Sequence, residues 1–435
     1  YFPRMTSASA TRTWHLYTRR KDFTQGQDTM GGVNSKSLRG QLESYYVQHV
    51  EVDGWKMQNA RSVVEDIKRE YKGYIERFLL DVDVEIVERG STSEGLKVIE
   101  PDEFDIMLVV NGNKLLTQGA SIEPCQYDDA GGFYFISEKK YDVIMEGLYQ
   151  PSRKAWPRMS KWMDGDGFLS PEKARRAFQG LTDELFKNFT KHKISRSISG
   201  PAITLKAEYI HRGCQEELSI DFVPAYRFGN KVYVAKPHPE CNIPGCPDTY
   251  RKLWLQTFCE EECICAIELQ LSGQYAKCLK ILKAIRVHHM PELGSLSSYV
   301  FKTLLIHMYR NPSKTEHSID DIFRKSLMNL QGHLENGVLN NFFDPNMNLF
   351  AFVNETQRRH VRFYLHRIIE TKAWNELLIV RSQRIIRDPK LETFKNLMIW
   401  MAVLVFVVVM ILNGQDFIAT SVICIELFCS ILFSK

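Results

Sequence analysis

From Gly54 to Leu80, apolar side chains recur at three- and four-residue steps, at Val63, Val64, Ile67, Tyr71, Tyr74, Ile75 and Phe78. That spacing stacks them along one side of a helix, so one long amphipathic helix is predicted. Its other face mixes Lys56, Arg61, Lys68, Arg69 and Lys72 with Glu65, Asp66 and Glu70. Mixed charge of this kind describes a solvated face, with a nucleic-acid surface as the minority reading. The pattern then changes to short apolar runs with strand character: Val82–Val87, Phe104–Val110, Phe133–Ile136, Ala202–Leu205 and Leu218–Val223. A helical insertion is predicted from Pro171 to Thr190. From Trp254 onward the signal is almost wholly helical, in Lys277–Val287, Tyr299–Tyr309, Ile319–Leu334 and Val353–Ile369.

Helix, mixed sheet and helical lobe, in that order, predict an α+β chain of two lobes with a cleft between them, where ligands usually bind. The expected divisions are a flexible leader over 1–37, a spine helix over 38–80, a sheet core with its helical insertion over 81–235, and a helical lobe over 236–390. No internal repeat is visible. A hydrophobic tail over 396–435 completes the chain. Leu397–Leu412 is sixteen residues without a charge, and a second apolar stretch runs from Phe417 to Phe433. With Arg384, Arg387, Lys390 and Lys395 just upstream, the tail reads as a membrane anchor that keeps the rest of the chain cytosolic; a buried core helix is the alternative.

Composition changes the picture little. Hydrophobic residues at 44% and charged residues at 25% are ordinary for a globular chain of 435 residues. A net charge of +4 excludes the strongly basic balance of a dedicated nucleic-acid binder, so an anionic partner would need a local patch. Ten cysteines are spread without a small-domain framework, and no secretory signal opens the first forty residues; reduced thiols are expected. The sequence begins at Tyr1 and not at Met, as a fragment would.

The candidate chemistry lies in three acids. Glu103 and Asp105, two apart in a strand, share one face, while Phe104 and Ile106 share the other. Two close carboxylates repel unless a cation sits between them, and magnesium, which prefers oxygen ligands, suits such a pair. Asp221 punctuates a second apolar run, where an unpartnered charge is costly. Three carboxylates converging on two magnesium (or manganese) ions would form the clamp used for in-line phosphoryl transfer. Thirteen residues before Glu103, Gly90 and Ser91 end a strand-like run; a glycine lets backbone approach a phosphate closely.

The stretch Gly90–Lys97 (GSTSEGLK) followed by Pro101–Asp105 (PDEFD) resembles the metal-binding module of the cyclic GMP–AMP synthase and Mab-21 family. Further matches are Leu169–Lys173, Gly200–Leu205, Leu296–Tyr299 with Lys302 and Thr303, and Asn340–Pro345 with Asn348–Phe350; together they cover about residues 55 to 370. The resemblance implies a bilobal nucleotidyltransferase fold. It also implies an enzyme that joins ATP and GTP, or related nucleotides, into a cyclic dinucleotide second messenger in innate immune sensing. Double-stranded RNA or another nucleic acid is the implied activator and a homodimer the implied assembly. Glu103, Asp105 and Asp221 would be the catalytic metal ligands. Gly90, Ser91 and Lys302 would reach the triphosphate. Phe342 would stack on a base where the family often has Tyr, and Asn341 replaces a phosphate-contacting Ser. Leu255 stands where guanine-binding relatives tend to have Arg, and the zinc-binding insertion used to grip DNA is missing. A catalytically silent, membrane-anchored Mab-type interaction protein is the rival reading, and a linear oligonucleotide synthase a third.

Other clusters carry blander readings. Cys259, Cys263 and Cys265, with His238, Cys241 and Cys246, fit no regular zinc spacing and read as small buried residues. Asp164–Phe168 (DGDGF) fails as a calcium loop and reads as a surface turn. Lys187, Lys191, His192, Lys193 and Arg196, with Phe186 and Phe189, read as a solvated loop ahead of a phosphate-backbone contact. His288 and His289 read as a helix end.

Overall fold

The computed structural model describes residues 37–78, 84–111, 120–125, 131–138, 162–187, 189–197, 202–236, 238–241, 248–311 and 318–380. The leader over 1–36 and the apolar tail over 396–435 lie outside them. Among the described residues no helix is long and apolar enough to cross a membrane.

The segment read as one spine helix over 38–80 is two helices, α1 (Leu38–His49) and α2 (Gly54–Phe78). The break has a local cause. Asp53 accepts hydrogen bonds from the backbone N–H of Trp55 and Lys56 at 2.8 and 3.1 Å, capping the start of α2. The two helices also serve different cores. Leu38, Leu42 and Tyr45 of α1 pack into the helical lobe, whereas Val63, Val64, Ile67, Tyr71 and Ile75 of α2 pack on the sheet.

The sheet consists of β1 (Val84–Arg89), β2 (Glu103–Asn111), β3 (Ala120–Pro124), β4 (Phe133–Glu138), β5 (Ile194–Ser197), β6 (Ile203–His211), β7 (Cys214–Phe228), β8 (Lys231–Val234) and β9 (Leu253–Thr257). Its main order is β1-β2-β7-β8-β9-β4-β3, with β6 also paired to β7 and β5 to β6. Every pairing is antiparallel except that of β2 with β7. β9 is the exception to the almost wholly helical signal expected from Trp254 onward: the Trp254 side chain is fully buried in this strand, its indole N–H donating to the Leu169 carbonyl at 2.8 Å.

Strand alternation gives the sheet two unlike faces. Phe104, Ile106, Leu108 and Val110 of β2 point toward α2 and the insertion helix that follows β4 in the chain, Pro171–Lys187. The opposite face carries Met107 and Val109, which meet Ala225, Val232, Val234 and Cys259 in a small apolar patch. Burial of this kind contributes roughly 25 cal/mol per Å² of apolar surface and fixes the register of β2. The helical lobe holds Cys259–Ser272, Gln274–His288, Ser298–Arg310, Ile319–Asn336 and Glu355–Glu370 around a single large core. Leu96 and Val98, which lie between β1 and β2 in the chain, are inserted into that core.

Candidate metal centre

The parallel pairing of β2 with β7 places Asp105 directly opposite Asp221, and Glu103 opposite Ser219. Because Glu103 and Asp105 are two apart, all three acids emerge on one face at one end of the pair. Each offers a carboxylate oxygen within 4.8 Å of the others, and among the described residues no other group of three His, Cys, Asp or Glu side chains does so. Glu103 is exposed, and Asp105 and Asp221 are half-buried.

Burial pushes the Asp105 carboxyl up to about 6, with the negative charges of Glu103 and Asp221 adding to the effect. The positive charge set against them is slight. Lys97 lies 2.8 Å from Asp102 and 3.7 Å from Glu103. Thr204 of β6, opposite Asp221 in register, donates its hydroxyl to Asp221 Oδ1 at 2.6 Å and fixes that carboxylate's orientation. An all-oxygen donor set with like charges left largely unneutralised fits a hard divalent cation.

The turn Gly90–Ser93 lies directly over this centre. Gly90 adopts φ +75°, and a Cβ there would collide with the Asp105 carboxylate. Only glycine meets both demands without strain. The turn is braced from three sides. Thr92 donates its hydroxyl to the Glu103 carbonyl at 2.9 Å, Arg61 of α2 donates to the Thr92 carbonyl at 2.9 Å, and the Leu96 N–H donates to the Ser91 carbonyl at 2.8 Å. The half-buried Ser91 hydroxyl has no partner among the described residues. Lys283 donates to the Leu96 carbonyl at 2.8 Å, and its burial brings its ammonium down to about 8.

Two sequence-predicted contacts are placed differently. Lys302 is buried and clamped by Glu94 at 2.6 Å and Glu262 at 2.8 Å. Asn341 is buried too. Its amide donates to the Tyr299 hydroxyl at 3.0 Å, while its carbonyl oxygen accepts from the N–H of Phe343 at 2.8 Å and of Asp344 at 3.3 Å. Both side chains therefore stabilise protein structure in this state. Phe342 is half-buried, edge-on to His307 and Phe343 at centroid distances of 5.1 and 5.3 Å. Leu255 sits 3.6 Å from where a Gly132 Cβ would lie, in surroundings shared with Met347.

Sequence reasoning missed Thr204, Glu94, Glu262 and Tyr299. Thr204 was within a quoted motif, but a hydroxyl in a strand carries no signal until its cross-strand partner is known. Glu94 and Glu262 are separated by most of the sheet domain, and only the packed fold joins them.

Cys259 and Cys265 are buried and Cys263 half-buried along one helix, and Cys241 lies in an apolar cluster with Cys125; Cys246 is outside the described residues. Lys252 lies 3.2 Å from Asp164 and 2.5 Å from Asp166, so the Asp164–Phe168 turn carries its own cation. Lys191 and His192 both pair with Asp66, Lys193 with Glu208 and Arg196 with Asp183.

Two family models match this chain. That described as the Mab-21 protein nucleotidyltransferase domain matches residues 92–246, and that described as the Mab-21 protein HhH/H2TH-like domain matches residues 274–367; together they cover more than half of the chain. The first span contains all three acids. Among curated relatives, cyclic GMP-AMP synthase-like receptor 3 of Stylophora pistillata is 25% identical over 362 residues, covering 78% of this chain and 97% of the relative. A cyclic GMP-AMP synthase-like receptor of Ctenocephalides felis is 23% identical over 65% of this chain and 71% of the relative. Cyclic GMP-AMP synthase-like receptor 1 of Drosophila melanogaster is 24% identical over 62% of this chain and 74% of the relative.

Proposed function

The chain belongs to the Mab-21 nucleotidyltransferase family, and on that premise we propose that it joins ATP and GTP, or closely related nucleotides, into a cyclic dinucleotide second messenger. The observation that carries this reading is the in-register pairing of β2 with β7, which gathers Glu103, Asp105 and Asp221 beneath the Gly90 turn. The names of the relatives, each a cyclic GMP-AMP synthase-like receptor, support the cyclic product and a ligand-triggered role.

Glu103, Asp105 and Asp221 would hold the divalent cations, magnesium or manganese. When bound, the cations supply charge neutralisation for the triphosphate and lower the pKa of the attacking hydroxyl. The chain's own groups do the rest. The Gly90 turn lets its backbone approach the phosphates, and the Ser91 hydroxyl donates to them. Lys97, 3.7 Å from Glu103, and Lys283, a donor to the Leu96 carbonyl, add positive charge near the turn. Asp221, oriented by Thr204, receives the proton of the ribose hydroxyl as that oxygen bonds to the α-phosphorus and pyrophosphate departs. Catalysis here is positioning and charge stabilisation without a covalent protein intermediate. The half-buried Phe342 ring offers an apolar face against which a base can stack.

The test is direct. Incubation with labelled ATP and GTP, Mg²⁺ or Mn²⁺, and a panel of double-stranded RNA and DNA should give a phosphatase-resistant product that Asp105→Ala and Asp221→Ala abolish. A product degraded by phosphatase would point to a linear oligonucleotide. No product under any combination would favour a catalytically silent Mab-type interaction module.

A further inference from the structure

The ammonium of Lys302 lies in the helix Ser298–Arg310, yet its partners come from elsewhere. Glu94 closes the turn over the acids, and Glu262 lies in the first turn of Cys259–Ser272. The distances are 2.6 and 2.8 Å, and the side chains of all three residues are at most 16% exposed. The contacts continue. The Tyr299 hydroxyl donates to Glu262 at 2.8 Å, and Asn341 in turn donates to Tyr299 at 3.0 Å. Gln270, two turns beyond Glu262, donates to the Glu94 carbonyl. One polar chain thus runs from the Gly90 turn, through two helices, to the loop that carries Phe342.

We propose that Lys302 is a positioning residue whose clamp between Glu94 and Glu262 holds the Gly90–Glu94 turn over the carboxylate centre and couples it to the Phe342 loop. The physical ground is that a buried ion pair is held in one geometry by the cost of leaving either charge alone. Glu94 follows Gly90 by one helical turn, and the Glu94 N–H donates to the Gly90 carbonyl at 3.1 Å. A fixed Glu94 therefore fixes Gly90, which touches Asp105. Burial raises the Glu94 carboxyl, and Lys302 opposes that rise; Glu94 and Glu262 in turn hold the Lys302 ammonium above its usual range despite its own burial. The clamp sets its lysine between both carboxylates, with Lys283 adding positive charge beside Glu94, and asks nothing of the substrate. Lys302 acts on the nucleotide through Glu94 and not by contact.

The kinetic arm of the test rests on the nucleotidyltransferase reading; the exchange arm does not. Lys302→Gln should lower kcat on the order of tenfold or more while the KM for ATP moves less than about threefold, the signature of lost transition-state alignment. Lys302→Arg should recover most of that loss. Glu262→Gln leaves the Lys302–Glu94 pair intact and should fold even if Lys302→Gln does not; it should lower kcat in the same sense, less severely. Amide hydrogen exchange across Ser91–Leu96 should quicken about tenfold or more in Lys302→Gln and stay near the wild-type rate in Lys302→Arg. A large rise in KM with kcat intact would make Lys302 a direct phosphate contact and overturn the proposal. Unchanged exchange over Ser91–Leu96 in both Lys302→Gln and Glu262→Gln would overturn it too, whether or not the wild-type chain makes any product.

Discussion

Two groups of carboxylates meet the Gly90 turn, and they are stabilised in opposite ways. Beneath the turn, Glu103, Asp105 and Asp221 crowd together with Lys97 at the rim and a neutral hydroxyl from Thr204. At its far end, Glu94 and Glu262 both pair directly with Lys302. The first group sets three acids against one lysine at its rim; the second holds one lysine directly between two acids, with Lys283 adding positive charge beside Glu94. A site that awaits a cation and a scaffold that holds its shape without one are thus told apart by their counter-charges, although acids furnish both.

Removing a member of the unmatched group should break activity and spare the fold. Asp105→Ala or Asp221→Ala should lower product formation by about 10³-fold or more, since each acid belongs to one cooperating unit. The thermal midpoint without added metal should hold or rise, because like-charge repulsion is relieved. A midpoint well below wild type would mean that these acids are structural.

Gly90→Ala places a methyl group against the Asp105 carboxylate at a φ that L-residues rarely adopt. The expected outcome is a loss of activity of about 10²-fold with roughly 1–2 kcal/mol of destabilisation, read by denaturant unfolding. Wild-type kinetics in this variant would mean that the turn need not approach the acids so closely.

The raised Asp105 carboxyl gives the comparison a pH signature. Its folded pKa of about 6 exceeds the ordinary value of 3.8, so between those limits the folded state binds more protons than the unfolded one. Stability in chelator should therefore fall as pH rises from about 4 to 6, by on the order of 1–3 kcal/mol in all. Added Mg²⁺ or Mn²⁺ should recover most of the loss above pH 6, and Asp105→Asn should remove this component. Thermal unfolding across pH, with and without metal, provides the check; a profile that is the same for Asp105→Asn and wild type would contradict it.

The smallest effect is expected at Thr204→Val, which keeps the strand's shape and removes the hydroxyl that aims Asp221. Activity should fall by about tenfold or less, with a stability change of about 1 kcal/mol. A drop as large as that of Asp221→Ala would promote Thr204 from orienting group to direct participant.

Local periodicity and local cost were readable in the chain itself. Two-residue alternation put Glu103 and Asp105 on one face, and a charge amid an apolar run marked Asp221. The three- and four-residue spacing of α2 and of the C-terminal helices was equally plain, because each segment is long enough for its period to repeat. Ile194–Ser197 and Lys231–Val234, only four residues each, offer no such repeat and went unseen. Tertiary structure decided which distant segments lie side by side. It paired β2 with β7 in parallel, so that Asp105 faces Asp221. It assigned α1 to the helical lobe and α2 to the sheet, and it turned Lys302 toward Glu94 and Glu262. The physical reason is that a side chain's counter-charge is set by what is near in space, and Glu94 and Lys302, 208 positions apart in the sequence, carry no local trace of their meeting.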